Sequence, residues 1–334
     1  MTPEVTVSLG GNALGAVAQR ALSGRIIESD GEKADELMLE VSNFDGRLQK
    51  PKTGQTVTVS LGWKEIGTIK VGQFTILNVS KRGPKAVFLI SGHSADLAKT
   101  LKGSKRRGWK DPKKLGDVFK DIAQDNQLSP QIDQAVQQIK IETIVAQTDE
   151  SDMHLMTRLA RHHDLIAKVQ DGNLVVVPRG KGTAASGQAM GSVTVTPQDT
   201  SGEFSFDYND RNERGHSKGT QFERGKAKRN SKKSQSGSSQ GSDSPDWTHA
   251  HIFGGSDEAQ RHADGRKGKF DRDTARVHLP LRPGLTGVAP GGVIQTQSFG
   301  DDDDRAWVCK TRVFSWDAQG LNVSVEGEPK TQNQ

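Results

Sequence analysis

Short β-prone segments near both ends of the chain constrain its fold more than any other feature of the sequence. Five of them lie in the first hundred residues, at 5–9, 37–41, 57–61, 74–79 and 87–90, and Gly, Pro, Asp or Asn bound them. Several alternate apolar and polar side chains with period two, so one face meets a core and the other meets solvent or a partner. This pattern predicts a small antiparallel barrel or sandwich over residues 1–103.

A second group of short strands is predicted over residues 193–330, at 193–196, 203–208, 275–279, 293–298, 307–316 and 321–326. Residues 54–62 and 292–300 share their glycine spacing, and an aromatic-led strand follows each, at Phe74 and at Trp307. Because glycine-bounded strands are common, a true repeat and generic strand composition both stay open. A true repeat would mean that one small barrel is used twice.

Residues 104–180 carry helical as well as strand patterns. Asp111 can cap a first helix with Pro112 at its first position, and apolar residues at 115, 118, 119 and 122 form one stripe. A second helix is predicted at about 149–163, with acidic residues in its first turn and cationic residues in its last. A strand at 139–145 precedes it and a hairpin turning at 171–173 follows it. These patterns predict an α+β segment between the two β regions.

Two stretches are predicted to lack regular structure. Residues 181–192 are rich in Gly, Ala and Ser, which is typical of a linker. Residues 209–246 contain nine Lys or Arg against five Asp or Glu, so they hold an excess of four of the five net positive charges of the chain. Their apolar surface is too small to offset the entropy of ordering, which predicts a disordered basic insertion in the second barrel.

The sequence also restricts the cellular location of the protein and the covalent and metal chemistry of its cysteine. Cys309 is the single cysteine, so one chain forms no intramolecular disulfide and no thiolate zinc site. The N-terminus lacks the basic and apolar regions of a signal peptide, and no apolar run approaches the roughly 20 residues of a membrane span. The chain is therefore expected to be made in a cytoplasm and to carry no membrane anchor.

Four short motifs are candidates for a catalytic, metal or phosphate site, and none is favoured. His162-His163-Asp164 ends a predicted helix, where cationic side chains are favoured anyway, and His249-Ala250-His251 lacks a third metal ligand. The run at 301–304 lacks the alternation of a calcium loop, and the glycines at 10–15 lack the Lys-Ser/Thr of a phosphate loop. The sequence predicts no catalytic residue, no metal and no cofactor, hence no enzyme.

Several segments together resemble one family. Residues 36–46, 48–62, 72–74, 91–96, 101–109 and 147–160 resemble the phage late control protein D family, the baseplate hub proteins of contractile tails, which are related to the N-terminal part of the VgrG spike proteins. The most specific stretch is a Gln followed by Glu-Ser-Asp and a Leu-x-x-x-Leu helix. The residues that match the motifs of the family are Gln147, Glu150, Ser151, Asp152, Leu155, Arg158, Leu159 and, in the closing hairpin, Trp307.

This resemblance implies a β-rich α+β protein with two small β-barrel tube domains joined by an α+β segment. It implies a structural hub, a homotrimer that adapts the hexameric tail tube to a trimeric spike and contacts other baseplate proteins. The expected location is the baseplate of the virion tail, after assembly in the cytoplasm of the host bacterium. The basic insertion at 209–246 departs from the pattern of the family.

Two other functions stay open at this stage. A DNA-binding or regulatory protein could act through the basic insertion, but Phe222 is the one aromatic ring in residues 209–246, which gives little support for base stacking. Nucleic acid is therefore not expected as a partner beyond transient passage through a channel. A cell-wall hydrolase carried on the hub is the third possibility, which clearing of peptidoglycan by this chain would reveal.

Overall fold

The computed structural model describes residues 1–9, 12–13, 20–31, 34–84, 86–94, 101–110, 113–141, 144–170, 172–209, 214–234 and 245–331. Strands dominate these ranges and four helices interrupt them, so the predicted β-rich α+β class is confirmed. The predicted start of the first helix, at Asp111 and Pro112, lies outside the described residues. Most of the glycine motif at 10–15 lies outside them as well. None of the helices in the described ranges is long and apolar enough to cross a membrane.

The strands of the first β unit are β1 (Pro3–Leu9), β2 (Asn12–Ala13), β3 (Ala21–Ser29), β4 (Glu36–Ser42), β5 (Thr56–Trp63), β6 (Gly67–Arg82) and β7 (Val87–His93). They form an all-antiparallel sheet in the order β3-β4-β7-β6-β5-β1-β2. Alternation places side chains such as Ile26, Leu37 and Val59 in the core and leaves Arg25 and Met38 exposed.

The middle segment has its own core, built from buried side chains such as Phe119, Leu155 and Leu159. Its elements are β8 (Ser104–Trp109), α1 (Leu115–Asp125), β9 (Ser129–Ile132), α2 (Gln134–Gln137), β10 (Val145–Ser151), α3 (Asp152–His162), β11 (Leu165–Gln170) and β12 (Asn173–Pro178). The predicted hairpin forms as β11 and β12.

Three boundaries in the middle segment differ from the prediction. Helix α1 begins at Leu115 with Lys114 as its N-cap, and not at Pro112 after a cap at Asp111. The second predicted helix is α3, which begins at Asp152 and not near Asp149. The reason is that residues 145–151 form strand β10, and Ser151 is the N-cap of α3. Among the described residues of the strand predicted at 139–145, Lys140 forms an isolated bridge with Lys114, and Val145 alone lies in a strand, as the first residue of β10. Apolar periodicity over so few residues does not separate a strand from irregular chain.

The second β unit contains β13 (Ser192–Val195), β14 (Ser205–Tyr208), β18 (Ala275–Leu281), β19 (Val293–Thr296), β20 (Ala306–Asp317) and β21 (Gly320–Pro329). Its strands lie in the order β13-β19-β20-β21-β18-β14, which matches β1-β5-β6-β7-β4-β3 strand for strand. One pair differs, since β13 is parallel to β19 whereas β1 is antiparallel to β5. The similar segments at 54–62 and 292–300 thus begin equivalent strands, β5 and β19.

One seam joins the two β units into a continuous 13-stranded sheet. β3 lies antiparallel to β20, and a buried ion pair between Glu28 and Arg312 crosses this seam. Burial raises the pKa of Glu28, although its hydrogen bond from Arg312 opposes the shift. Side chains of both units share one hydrophobic core, so the two barrels predicted from the sequence are not independent bodies.

The prediction that residues 209–246 form a disordered insertion is wrong for the described part. β15 (Ser217–Glu223), β16 (Lys228–Lys233) and β17 (Trp247–Phe253) form a small sheet that helix α4 (Ser256–Arg272) covers. The apolar side chains that support this inserted unit, such as Phe253 and Phe270, follow residue 246 in the sequence. Gly219 lets α4 approach, since a Cβ there would lie 2.2 Å from the carbonyl oxygen of Ala259. Residues 210–213 and 235–244 lie outside the described ranges.

Candidate functional site

The polar motif residues of the middle segment converge on one buried carboxylate. Asp152 is fully buried at the start of α3, and its oxygens accept hydrogen bonds from Lys105 Nζ at 2.7 Å, Arg107 Nη2 at 2.7 Å and Asn126 Nδ2 at 2.8 Å. Gln147 Nε2 donates to the same carboxylate at 2.9 Å. This buried network fastens α3 to β8, β10 and the end of α1.

The remaining motif residues complete the attachment of α3. Glu150 pairs with Arg158, which also donates to the carbonyl oxygen of Ala146 at 2.7 Å. Leu155 and Leu159 lie on the buried face of α3, inside the core of the middle segment. In the second β unit, Trp307 is fully buried and its Nε1 donates to Thr296 Oγ1 at 3.0 Å. Every motif residue except Trp307 therefore belongs to one framework around α3.

The hydrogen bonds of this framework favour the ionised form of its two carboxyl groups, Asp152 and Glu150. Burial opposes ionisation of Asp152, but its hydrogen bonds from Lys105, Gln147 and Asn126 hold its pKa below the ordinary value. The hydrogen bond from Arg158 likewise lowers the pKa of Glu150. A carboxylate with a lowered pKa is ionised at neutral pH, and a general acid or base must exchange a proton there, so the geometry of Asp152 suits structural support.

The N-cap of α3 gives a direct test of this framework. Ser151 Oγ accepts the backbone N–H of His154 at 3.2 Å. We expect Ser151→Ala to lower the free energy of unfolding by about 1 kcal/mol because that N–H loses its partner. Ser151→Thr, which keeps a hydroxyl, should stay within about 0.5 kcal/mol of the wild type. Chemical denaturation measures both, and equal losses in the two variants would contradict the capping role.

Tertiary structure assembles a histidine cluster that the sequence motifs did not predict. His262 of α4 lies among His162 and His163 at the end of α3 and His249 of β17, with ring centroids 4.6, 5.5 and 5.7 Å away. It stacks on Phe253 at 4.4 Å. One buried ring nitrogen each of His163, His249 and His262 has no hydrogen-bond partner in the described structure. No sequence spacing links α3 to α4, so no local signal could have revealed the cluster.

Burial and mutual repulsion keep this histidine cluster neutral. Desolvation, reinforced by nearby Arg and His side chains, lowers the pKa of His163 to about 3, of His249 to about 4 and of His262 to about 2. Among the described residues, no three His, Cys, Asp or Glu side chains are arranged to hold a metal ion. The cluster therefore acts as a neutral contact between α3, α4 and β17.

The acidic run at 301–304 is part of the connection between β19 and β20. The carboxylate of Asp304 accepts the backbone N–H groups of Ser298 at 2.8 Å and Phe299 at 2.9 Å, and Asp303 accepts the hydroxyl of Tyr208. Two of these bonds lie within the turn and the third comes from Tyr208 of β14, and together they involve two of the four carboxylates. The arrangement fits a hairpin tip and not a calcium loop.

A comparison with protein families identifies the family of this chain. The model of the family described as phage tail baseplate hub (GPD) matches residues 49–320, which include α3 and Trp307. The chain belongs to this family. The resemblance seen in the motif residues is thereby confirmed.

A curated relative agrees with the assignment. The probable baseplate hub protein of Escherichia phage P2 is 33% identical over 200 residues, which are 60% of this chain and 51% of that protein. The chain spans about half the length of the curated relatives that it matches.

Two solved structures show the same fold at low sequence identity. The prophage MuSo2 43 kDa tail protein from Shewanella oneidensis has a TM-score of 0.73 at 14% identity and covers 98% of this chain and 99% of its own. The E. coli c3393 protein, a component of the type VI secretion system, has a TM-score of 0.59 at 11% identity over 98% of this chain and 77% of its own.

Proposed function

We propose that three copies of this chain form the central hub of a phage-type contractile tail baseplate. The observation that carries the proposal is the repeated six-strand order of the two β units. A ring of three such chains contains six similar β units, while each chain supplies one middle segment. Such a ring offers sixfold-like contacts on one face and threefold contacts on the other.

The partners that the family resemblance implies suit this symmetry. The six β units suit the hexameric tail tube, and the threefold face suits a trimeric spike protein, with other baseplate proteins around the rim. The hub would lie in the virion tail, and it would assemble in the cytoplasm of the host cell. The middle segment, held rigid by the network around Asp152, would orient the surfaces between these partners.

We further infer that the chain acts without catalysis and without sequence readout of DNA. The family is a structural one, and the motif residues described above serve as buried supports. In the inserted unit, Lys218 and Lys233 lie 2.6 and 3.8 Å from the carboxylate of Asp246, so part of the basic charge is neutralised within the fold. Purified chain should therefore leave peptidoglycan intact, and clearing of a peptidoglycan gel would contradict the non-enzymatic function.

The copy number of the chain tests the hub directly. We expect particle imaging and quantitative mass spectrometry of purified tails to find three copies of this chain between the tube and the spike. Deletion of the gene should remove the spike from tails, because the adaptor that holds it is missing. Six copies or one copy per tail would contradict the proposal, and so would intact spikes on tails that lack the chain.

A further inference from the structure

The inserted unit turns one face of its small sheet toward solvent. Helix α4 lies against the opposite face, since a Cβ on Gly219 of β15 would come within 2.2 Å of the carbonyl oxygen of Ala259. Side chains alternate between the two faces of a strand, so Lys218, Thr220 and Phe222 of β15 point away from α4. These three residues mark the open face of the inserted unit.

Strand pairing shows which other side chains share this open face. Residues directly opposite each other in neighbouring strands point to the same side of a sheet. The partners of the three β15 residues are Arg229, Ser231 and Lys233 in β16 and, beside Thr220, Ile252 in β17. The four partner side chains are exposed, so no other part of the described chain covers the open face.

An apolar pair lies on the open face. Phe222 is 38% exposed and Ile252 is 39% exposed. Ile252 is the partner of Thr220, two residues before Phe222, so the two apolar side chains are diagonal neighbours across β15 and β17. A partner that covers both with its own apolar side chains removes them from water, which favours binding.

The charge around this apolar pair is positive. Residues 214–234 contain eight Lys or Arg and one acidic residue, Glu223. Glu223 and Asp246 pair with three of these cations. Arg229, which lies directly opposite Phe222, forms no ion pair with the described part of the chain. The open face therefore offers an apolar pair beside an uncompensated positive charge, which suits an acidic partner.

Two other occupants suit the open face less well. The same face of a second copy would be equally basic, and like charges opposite each other repel. A single-stranded nucleic acid needs several aromatic rings on which successive bases stack, whereas the described residues of the open face include one ring, Phe222. An acidic protein segment suits the face better, because it carries carboxylates and apolar side chains together.

We propose that the open face of the inserted unit binds an acidic segment of a different tail protein. An apolar side chain of that segment packs on Phe222 and Ile252, and a carboxylate beside it pairs with Arg229. Side chains directly opposite each other in neighbouring strands lie about 5 Å apart, so one short segment reaches both Phe222 and Arg229. The contact does not depend on the number of copies in the proposed hub.

A photo-cross-linker tests the contact in assembled tails that carry the full chain. Ser231 is exposed on the open face, so p-benzoylphenylalanine at position 231 reaches a partner bound there. We expect mass spectrometry to find cross-links to one segment of another tail protein, with more Asp and Glu than Lys and Arg. Cross-links to nucleic acid, to this chain or to a segment without acidic excess would overturn the proposal, and so would the absence of any cross-link.

Affinity measurements separate the apolar and the charged contributions. The probe is a synthetic peptide of the cross-linked segment, and fluorescence anisotropy measures its binding to the purified full chain. Phe222 and Arg229 are exposed, so Phe222→Ser and Arg229→Glu should leave the fold intact. Each is expected to weaken binding at least about tenfold, because each removes a contact at the centre of the proposed site. Unchanged affinity in either variant would overturn the proposal.

Lys228→Glu is the matched control. Lys228 lies opposite Glu223, on the side of β16 that faces α4, so this substitution makes the same change of charge away from the open face. It should weaken binding by less than about threefold. Equal losses in Arg229→Glu and Lys228→Glu would show a diffuse attraction of charge and overturn the site. Tighter binding of oligothymidylate than of the peptide would assign the face to nucleic acid and overturn it as well.

Discussion

Asp152→Asn is expected to lower the free energy of unfolding of the middle segment by about 3 to 5 kcal/mol. The fully buried carboxylate accepts four hydrogen bonds, and the amide of asparagine would turn a donor toward groups that are themselves donors, such as Lys105 Nζ and Asn126 Nδ2. Arg107 keeps a second carboxylate, Asp125, so the loss comes mainly from the unmatched groups around residue 152.

Asp149→Asn is the matched control for this experiment. Asp149 pairs with Arg106, and both side chains are mostly exposed, so solvent screens the pair and its loss should barely change the free energy of unfolding. Asparagine also tolerates the positive φ of 53° at that position. Hydrogen exchange of α3, with the first β unit as internal reference, measures both variants. Equal exchange in Asp152→Asn and Asp149→Asn would contradict the supporting role of the buried network.

Acidification from pH 7 to pH 5 should loosen the contact between α3, α4 and β17. The pKa values of His163 and His262 fall to about 3 and about 2 in the fold, from the ordinary histidine value of 6.5. Above pH 6.5 these rings are neutral in both states. Below it the unfolded state binds protons that the folded state refuses, so stability falls as the pH falls. At pH 5 each ring should cost about 2 kcal/mol.

The expected readout is local. Hydrogen exchange of α4 should accelerate between pH 6.5 and pH 5, after correction for intrinsic exchange, while the core of the first β unit stays protected. His262→Phe keeps a ring against Phe253 and should remove about half of this acid effect. His154→Gln changes an exposed histidine of α3 and should leave it unaltered. An α4 that stays fully protected at pH 5 would show that protonation of the cluster does not open this contact.

Local patterns were sufficient where a property depends on one element. Period-two alternation placed most strands of both β units, and the charges of α3 matched its dipole. The Gln147 and Glu-Ser-Asp motif identified the family, but its role became clear only when β8 supplied Lys105 and Arg107 to the same carboxylate. Sequence spacing does not report which distant cations will meet a buried acid, because that depends on how the strands pair.

The sequence by itself determined the β-rich class, the two longer helices of the middle segment, the similarity of residues 54–62 to residues 292–300, and the resemblance to the hub family. Only the tertiary structure decided the seam of Glu28 with Arg312, the histidine cluster around His262, and the folding of residues 214–234. The physical reason is common to all three. Periodicity shows which face of an element is apolar, whereas the neighbour that covers this face lies far away in the chain and is selected by packing of the whole core.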